Sequence, residues 1–290
     1  MKGTSIFPKN LDEYKKTGYL HEDFRLFHLK DKSSGNIDTH FHDFHKIIIP
    51  ISGDVKYQIE GKTYTLHPLD IILVSRFDLH KPLISELESY ERIVIWIQNH
   101  FIESDRSSKE NLAKCFVNAT KRGYHLVTPD YTMQDKIRLL IEQIESSLSS
   151  DSFGSSLLAT TYFQQLLIFI NRLAMDQEYK VDLKKMNYDH QIEEILRYLN
   201  QNLSSPLCID FLADKYYISK YHLMHKFKKE TGYTVHRYIE EKRLVWACSL
   251  IRSGVPVIKA SRECGFADYS TFLRSFHKKY NASPTKYFES

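Results

Sequence analysis

The chain has 290 residues, 42% of them hydrophobic and 26% charged, with a formal net charge of +4. This is an ordinary soluble composition, long enough for two domains with separate cores. The 1–10 segment lacks the apolar core of a secretory signal, and the apolar runs 71–74 and 166–170 fall far short of a membrane span. Cys115, Cys208, Cys248 and Cys264 lie far apart with no C-x-x-C pair, which fits reduced thiols better than a disulfide framework. A cytoplasmic protein with no membrane partner is expected.

From about Phe24 to Ile97 the chain breaks into short β-rich runs: 46–51, 55–59, 63–66, 71–74 and 91–97. Ser52-Gly53-Asp54, Glu60-Gly61-Lys62 and Pro68-Leu69-Asp70 supply turn chemistry between them. This pattern predicts a small sandwich or barrel. The texture then changes: Met133, Ile137, Leu140, Ile141, Ile144 and Leu148 form one helical stripe. The 149–156 stretch, containing Gly154, interrupts it. A second helix over about 157–175 is apolar around most of its circumference, so it needs either the sheet or a second copy of the chain as partner. The segment up to Asp189 is charged and unpatterned, and reads as a linker.

After the linker the chain is helical and basic. Residues 190–290 carry 16 Lys and Arg against 10 Asp and Glu, a net +6, while 1–189 carry 24 against 26, a net −2. A basic end on a near-neutral front suits a nucleic-acid module joined to something else. This tail contains the same helical punctuation twice, 49 residues apart: Lys229 falls on Lys278, Phe227 on Phe276, and Tyr238 on Tyr287. In the first copy 209–216 is a short helix, Tyr217-Ile218 a turn, and Ser219 the N-cap of a helix to about Glu230. Leu223, Met224 and Phe227 cluster inward, with Tyr221, His222, His225 and Lys229 opposite. In the second copy 257–264 supports a helix capped by Asp268. Phe272, Leu273 and Phe276 face in; Ser270, Thr271, Arg274 and Lys278 face out. A single such face is usually solvated surface, but two equivalent ones favour DNA. Arg274 can fork onto guanine, Ser270, Thr271 and His222 can pair with several base edges, and Lys229 and Lys278 suit phosphates. Between the copies, 235–252 reads as one helix about 27 Å long, against about 34 Å between successive major-groove sites. Such a strut could hold both reading helices in adjacent grooves.

These residues carry a resemblance. Leu212-Ala213, Ile218-Ser219, Leu223 and Phe227-Lys228 resemble the first half of the AraC family's DNA-binding domain, and Arg243, Ala247 and Leu250-Ile251 its linker helix. Ala260, Cys264-Gly265-Phe266-Ala267-Asp268, Phe272, Phe276, Ser283-Pro284 and Tyr287 resemble the family signature in the second half. The likeness covers about 190–288. Asn281 stands where the family usually has Gly, and Phe288 where Arg is frequent. The family implies a transcription factor, most often an activator that recruits RNA polymerase.

The front is similar to the cupin barrel that precedes many AraC-type DNA-binding domains, on Gly35, His40-Phe41-His42, Lys46, Gly53, Gly61, Pro68-Leu69-Asp70 and His80. In a strand His40 and His42 share one face, which in a cupin is the interior. With His80 they could form a three-nitrogen metal site with an open position. Metal-binding cupins usually carry Glu where this chain has Lys46, however, and an ammonium has no acceptor for a metal and repels it. No metal and no cofactor are therefore expected. The histidines instead line a small-molecule effector pocket, with Lys46 either pairing an anionic ligand or leaving for solvent, and Tyr57, Trp96 and Arg25 as further lining. His45 extends the histidine run and raises pH sensing as a lesser alternative.

The expected fold is multidomain α+β. It comprises a cupin-like β-barrel over 1–130, a helical dimerisation segment over 131–176, a linker over 177–189, and an all-α domain with two helix-turn-helix motifs over 190–290. The expected function is a sequence-specific regulator of transcription, probing double-stranded promoter DNA as a homodimer and modulated by a small molecule. A metal-dependent cupin enzyme and an effector-free dimeric regulator are the alternatives. The chain has no phosphate loop, no G-x-S-x-G and no nucleophile with a marked partner, so catalysis is not expected.

Overall fold

The computed structural model describes residues 22–31, 39–53, 55–84, 90–103, 110–176 and 185–289. Gly35, Asp54 and the 177–184 part of the expected linker lie outside them.

Among the described residues nine strands form two antiparallel sheets: β1 (Phe24–Asp31), β2 (His45–Ser52), β3 (Val55–Ile59), β4 (Lys62–Leu66), β5 (Ile71–Val74), β6 (His80–Leu83), β7 (Tyr90–Ile97), β8 (Leu126–Val127) and β9 (Met186–Tyr188). The first sheet has the order β1-β7-β2-β5-β8 and the second β6-β3-β4-β9. The cupin-like fold thus takes the form of two facing sheets with open edges rather than a closed barrel.

Residue pattern explains which sheet lies in the middle. In β3 and β4 burial alternates, because the outer face of the four-stranded sheet meets solvent. In β2, β5 and β7 nearly every residue is buried. One face of the five-stranded sheet (Phe27, Ile48, Ile72, Val94, Trp96) packs against Tyr57, Ile59, Tyr64 and Leu66 of the other sheet. Its opposite face (Ile47, Ile49, Leu73, Ile93, Ile95) packs under helices.

The covering helices are α1 (Asn99–Ile102), α2 (Lys114–Arg122), α3 (Tyr131–Leu148) and α4 (Ser155–Met175). Asp130 caps α3, its carboxylate accepting from the Met133 N–H at 2.8 Å. Ile137, Leu140, Ile141 and Ile144 are its buried positions, the spacing of one helical face. Phe163 of α4 is fully buried, with the Phe24 ring stacked on it at 4.3 Å. Truncating such a ring costs about 3–5 kcal/mol.

The end of the expected linker is not free. Met186–Tyr188 pairs with β4, Lys62 opposite Tyr188 and Tyr64 opposite Met186. The sequence hid this because a three-residue edge strand is too short to show alternation.

The helical half consists of α5 (His190–Gln201), α6 (Ile209–Lys215), α7 (Lys220–Thr231), α8 (Val235–Arg252), α9 (Val257–Glu263), α10 (Tyr269–Tyr280) and α11 (Pro284–Glu289). It has two cores joined by α8. Val235, Tyr238 and Ile239 enter the first, with Leu196, Leu223 and Phe227. Leu244, Ala247 and Cys248 enter the second, with Phe272 and Phe276. One continuous helix thus forms part of both cores, which makes it a stiff connection. Leu79 from the sandwich is buried in the first core as well, and Phe41 packs on it.

Candidate nucleic-acid interface and effector pocket

The helix-turn-helix geometry follows from local chemistry. Ser219 and Asp268 are the N-caps of α7 and α10, accepting from the backbone N–H of His222 at 3.3 Å and of Thr271 at 2.7 Å. Gly232 ends α7 in the left-handed conformation, φ 80°, and Asn281 ends α10 in the same way, φ 55°. Asn is the residue that best replaces Gly there, which explains the departure noted in the sequence. Tyr217, in the turn before α7, also has positive φ, 52°, with a side chain fully in solvent.

On α7, Leu223 and Phe227 are buried while Tyr221, His222, His225 and Lys229 are exposed. Tyr221 stacks on His225 one turn on, with ring centroids 6.4 Å apart. Met224, expected inward, is 46% exposed: at one residue past Leu223 it falls on the rim of the buried stripe. On α10, Phe272 and Phe276 are buried, Leu273 is half-buried, and Ser270, Arg274 and Lys278 are exposed, with Thr271 half-buried. Arg274 Nη2 donates to Thr271 Oγ1 at 3.2 Å, and Thr271 Oγ1 in turn bonds Asp268 Oδ2 at 2.9 Å. The guanidinium is therefore held over the first turn of its helix. Hydrogen bonds from Thr271 keep the Asp268 carboxyl below its ordinary pKa. Lys220 pairs with Asp210, tying the start of α7 to α6, a link that residue spacing gave no sign of.

Inside the sandwich, Lys46 does not leave for solvent: it is 1% exposed, with Nζ 3.0 Å from His80 Nε2. It shares the inward face of β2 with Ile48, and burial together with the nearby Arg92 charge pushes its pKa down to about 7. His80 Nδ1 meets the Asp78 carbonyl at 2.8 Å, and His42 Nδ1 meets that of Phe44 at 2.8 Å. A ring nitrogen facing a carbonyl carries the proton, so each Nε2 presents a lone pair. His80 uses its lone pair on Lys46. His42 Nε2 is buried without a partner. Burial first, then the Lys46 charge, holds both imidazoles well below their ordinary pKa.

The three histidines weighed as possible ligands do gather: the His40 ring lies 4.4 Å from His80, and His42 4.7 Å from His80. The Nε2 of His80 is turned to the Lys46 ammonium, a charge that repels a cation. Among the described residues no group of three His, Cys, Asp or Glu side chains is placed to hold a metal. Tyr57 and Trp96 are buried beside them, Trp96 against Phe44 at 4.9 Å and Tyr57 against His80 at 6.0 Å. Arg25 lies opposite Trp96 in the β1–β7 register, its guanidinium 5.2 Å above the Phe27 ring. His45 is separated from the run by strand parity. Its ring packs on Phe116 at 4.4 Å, under the helical layer, and Nε2 bonds Asn99 Oδ1 at 3.1 Å.

A cavity of about 790 Å³ lies elsewhere, between the sandwich and α5, lined by Lys62, Arg76, Asp78, His125, Glu193 and Arg197 among others. Beside it the two halves are bonded through buried charge. Glu60 Oε1 accepts from Lys242 Nζ and the Leu79 N–H, both at 2.7 Å, and Oε2 accepts from Tyr238 at 3.0 Å and Asn200 at 3.1 Å. Asp43 takes Arg76 at 2.6 Å and Arg252 at 3.2 Å. Sequence reasoning missed Glu60, Asp43 and Lys242, since nothing in local pattern marks a charge that is buried only across a domain boundary.

A sandwich with a buried histidine–lysine cluster, joined to two exposed helix-turn-helix units on a shared strut, has the make-up of a DNA-binding regulator with a sensor domain. The profile of the AraC-like ligand binding domain matches residues 31–167, and that of a helix-turn-helix domain matches 212–290. The transcriptional activator RhaS of Escherichia coli (strain K12 / DH10B) is 23% identical over 246 residues, covering 84% of this chain and 85% of RhaS. RhaS of Shigella sonnei matches to the same extent. Among solved structures, fatty-acid-bound ToxT of Vibrio cholerae is 17% identical over 92% of this chain and 96% of its own, with a TM-score of 0.37. The DNA-binding domain of AdpA in complex with a target DNA is 23% identical over 34% of this chain and 89% of its own, at a TM-score of 0.32. The chain belongs to the AraC family of transcriptional regulators.

Proposed function

We propose that this chain activates transcription by laying α7 and α10 in successive major grooves of promoter DNA. Tyr221, His222, His225 and Lys229 read or clamp one site, and Ser270, Thr271, Arg274 and Lys278 the other. Ser219 and Asp268 serve both as helix caps. The observation that carries this reading is the pair of equivalent polar faces, both exposed, on one rigid strut. RNA polymerase is the expected downstream partner. The protein acts in the cytoplasm, as a regulator and not a catalyst; no helix among the described residues is long and apolar enough to cross a membrane.

The effector pocket is the interior around His40, His42, Lys46, Tyr57, His80 and Trp96. Its chemistry suits a small anionic molecule that also carries a hydroxyl: the anion for the Lys46 ammonium, the hydroxyl donating to the bare Nε2 of His42. A homodimer through α3 and α4 is supported by Leu139, Leu157 and Leu158, which are 48–71% exposed on the layer that packs over the sheet.

Two measurements test this. Fluorescence anisotropy with DNA from upstream of the chain's own gene should show binding that weakens steeply with salt, roughly 0.9 log units per log unit for each phosphate neutralised. Salt-independent binding, or none to this DNA or to a random pool, overturns the DNA reading. Mass spectrometry of small molecules released from denatured protein should find an acid that is lost in Lys46→Met. Its absence from the unaltered protein, or its retention in Lys46→Met, overturns the pocket.

A further inference from the structure

Among the described residues five that are not glycine have a positive φ: Glu60, Leu69, Phe77, Tyr217 and Asn281. That region brings Cβ against the backbone, so each such residue carries strain that something else must offset. For four of them the offset is visible. The Glu60 carboxylate accepts from Lys242, Leu79, Tyr238 and Asn200. Leu69 is buried in the core under the sensor helices. Phe77 donates its N–H to the His42 carbonyl at 2.8 Å, and its ring lies 4.5 Å under the Arg76 guanidinium. Asn281 is of the type that tolerates this backbone. Tyr217 has none of these. Its φ is 52°, and at 97% exposure its ring packs on nothing in the described chain.

The matching turn in the second helix-turn-helix unit shows what the fold alone requires. Helices α6 and α9 end alike. The N–H of Tyr217 donates to the Asp214 carbonyl at 3.3 Å, and that of Ile218 to Ala213 at 3.0 Å. In the second unit the N–H of Gly265 donates to Arg262 at 3.0 Å, and that of Phe266 to Ser261 at 3.2 Å. The left-handed residue is thus Tyr217 in one unit and Gly265, φ 84°, in the other. Glycine adopts this conformation freely and is the usual residue after a helix end. A tyrosine there strains the backbone and leaves a large ring in water, and folding offsets neither.

The place of Tyr217 points to what does. It stands two residues before Ser219, the N-cap of the reading helix α7, and Lys220, Tyr221 and His222 follow, all exposed. The start of a reading helix enters the major groove, so the turn before it lies at the groove edge, where the sugar–phosphate strand runs. A phenol suits that strand: its hydroxyl donates to a phosphate oxygen while its ring covers the sugar.

We propose that Tyr217 anchors the backbone of the first DNA half-element, hydroxyl on a phosphate oxygen and ring on the adjoining sugar. The second half-element lacks this anchor, because Gly265 has no side chain. The inference rests on the reading of α7 as a DNA-reading helix. The contact is uncharged and meets no base edge. It therefore adds affinity without counterion release and without base preference.

The test uses the full-length chain and a duplex that it selects from a random pool. Tyr217→Phe should weaken binding on the order of 10-fold, as for one hydrogen bond to a charged group. The loss should be equal on every single-base variant of the duplex and leave the salt slope unchanged. Ethylation of one phosphate beside the α7 half-element should interfere with the unaltered chain, and that phosphate alone should become insensitive in Tyr217→Phe. Tyr217→Gly should weaken binding at least as much and yet raise the midpoint of urea unfolding, because the strain is gone. Unaltered affinity in both variants overturns the anchor. That includes the case in which transcription falls while DNA binding holds, which would make Tyr217 a contact for a protein. A loss confined to one base identity would make it a base reader. A midpoint that fails to rise in Tyr217→Gly would show that folding already offsets the strain. Either result overturns the proposal. Failure of the DNA reading is seen separately, in the unaltered chain, which then selects no duplex with salt-steep binding.

Discussion

Lys242 Nζ lies 2.7 Å from Glu60 Oε1, so the strut between the two DNA-reading units is bonded to the turn between β3 and β4 of the sensor. Both side chains are withdrawn from water, 3% and 15% exposed. Burial raises the Glu60 carboxyl. The Lys242 ammonium, with hydrogen bonds from Lys242, the Leu79 N–H and Asn200, outweighs this and holds it below its ordinary pKa.

Removing one partner leaves the other charged and buried, a loss of about 3–5 kcal/mol for such pairs. Lys242→Met is expected to lower the midpoint of urea unfolding markedly, and Glu60→Gln less. The double variant should lose well less than the sum of the two single losses. Strict additivity in that double-mutant cycle would show that the pair contributes nothing as a pair.

Acid should weaken the sensor before it weakens an ordinary domain. Burial lowers His45 and His125 from 6.5 to about 4, and His42 and His80 also fall well below 6.5. The unfolded chain then takes up protons near pH 6.5 that the folded chain refuses, at His45 and His125 until about 4, so stability falls as pH drops below 6.5. Asp78, raised by burial to about 7, works in the opposite direction and offsets part of the loss. Unfolding midpoints between pH 7 and 4 check the sign. A midpoint that rises on acidification contradicts the assignment of these histidines as buried and neutral.

Arg274→Ala should relax base preference at one position of the site, at a cost of about 1–3 kcal/mol against the preferred base only. Lys278→Ala should weaken binding to all sequences alike and reduce the salt slope by about one unit. Binding to a panel of single-base variants at several salt concentrations separates the two. Equal effects of both substitutions on every sequence would remove the division between reading and clamping.

Gly265 allows the turn into the second reading helix. Its φ is 84°, and a Cβ there would meet the Leu203 and Ser204 carbonyl oxygens at 2.6 and 2.8 Å. Backbone atoms cannot swing aside, so Gly265→Ala should destabilise by about 1–3 kcal/mol, the range for a strained backbone position. Hydrogen exchange should place the loss in α9 and α10 and spare the sandwich. A uniform loss across the chain would contradict this.

Leu157→Glu, on the exposed face of α4, should convert a homodimer to a monomer in sedimentation without lowering the unfolding midpoint of the sensor core. An unaltered chain that sediments as a monomer at micromolar concentration removes the dimer.

The helical half was the more legible in sequence. The strut 235–252 and both N-caps, Ser219 and Asp268, stand where residue pattern put them, because helix signals are local: a capping side chain and a 3.6-residue period. In the sandwich the runs 55–59 and 71–74 were equally plain. Leu126–Val127 and Met186–Tyr188 were not, since two- and three-residue strands exist only through their partners. The histidine cluster was foreseen, but the destination of Lys46 was not: strand parity gives its face, and only the opposing sheet makes that face the interior. Asp43, Glu60 and Lys242 are the least legible, being ordinary surface residue types turned inward by a contact between distant parts of the chain.

The pairing of Met186–Tyr188 with β4 bears on how the sensor should be studied alone. A fragment ending near Met175 lacks this short strand, and β4 then becomes an uncapped rim with a row of unsatisfied N–H and C=O groups. Such a fragment is prone to join rim to rim with its copies, and the resulting oligomers would mimic dimerisation through the helices. Extending the fragment through Tyr188 keeps β4 paired and leaves only the three-residue β9 at that edge.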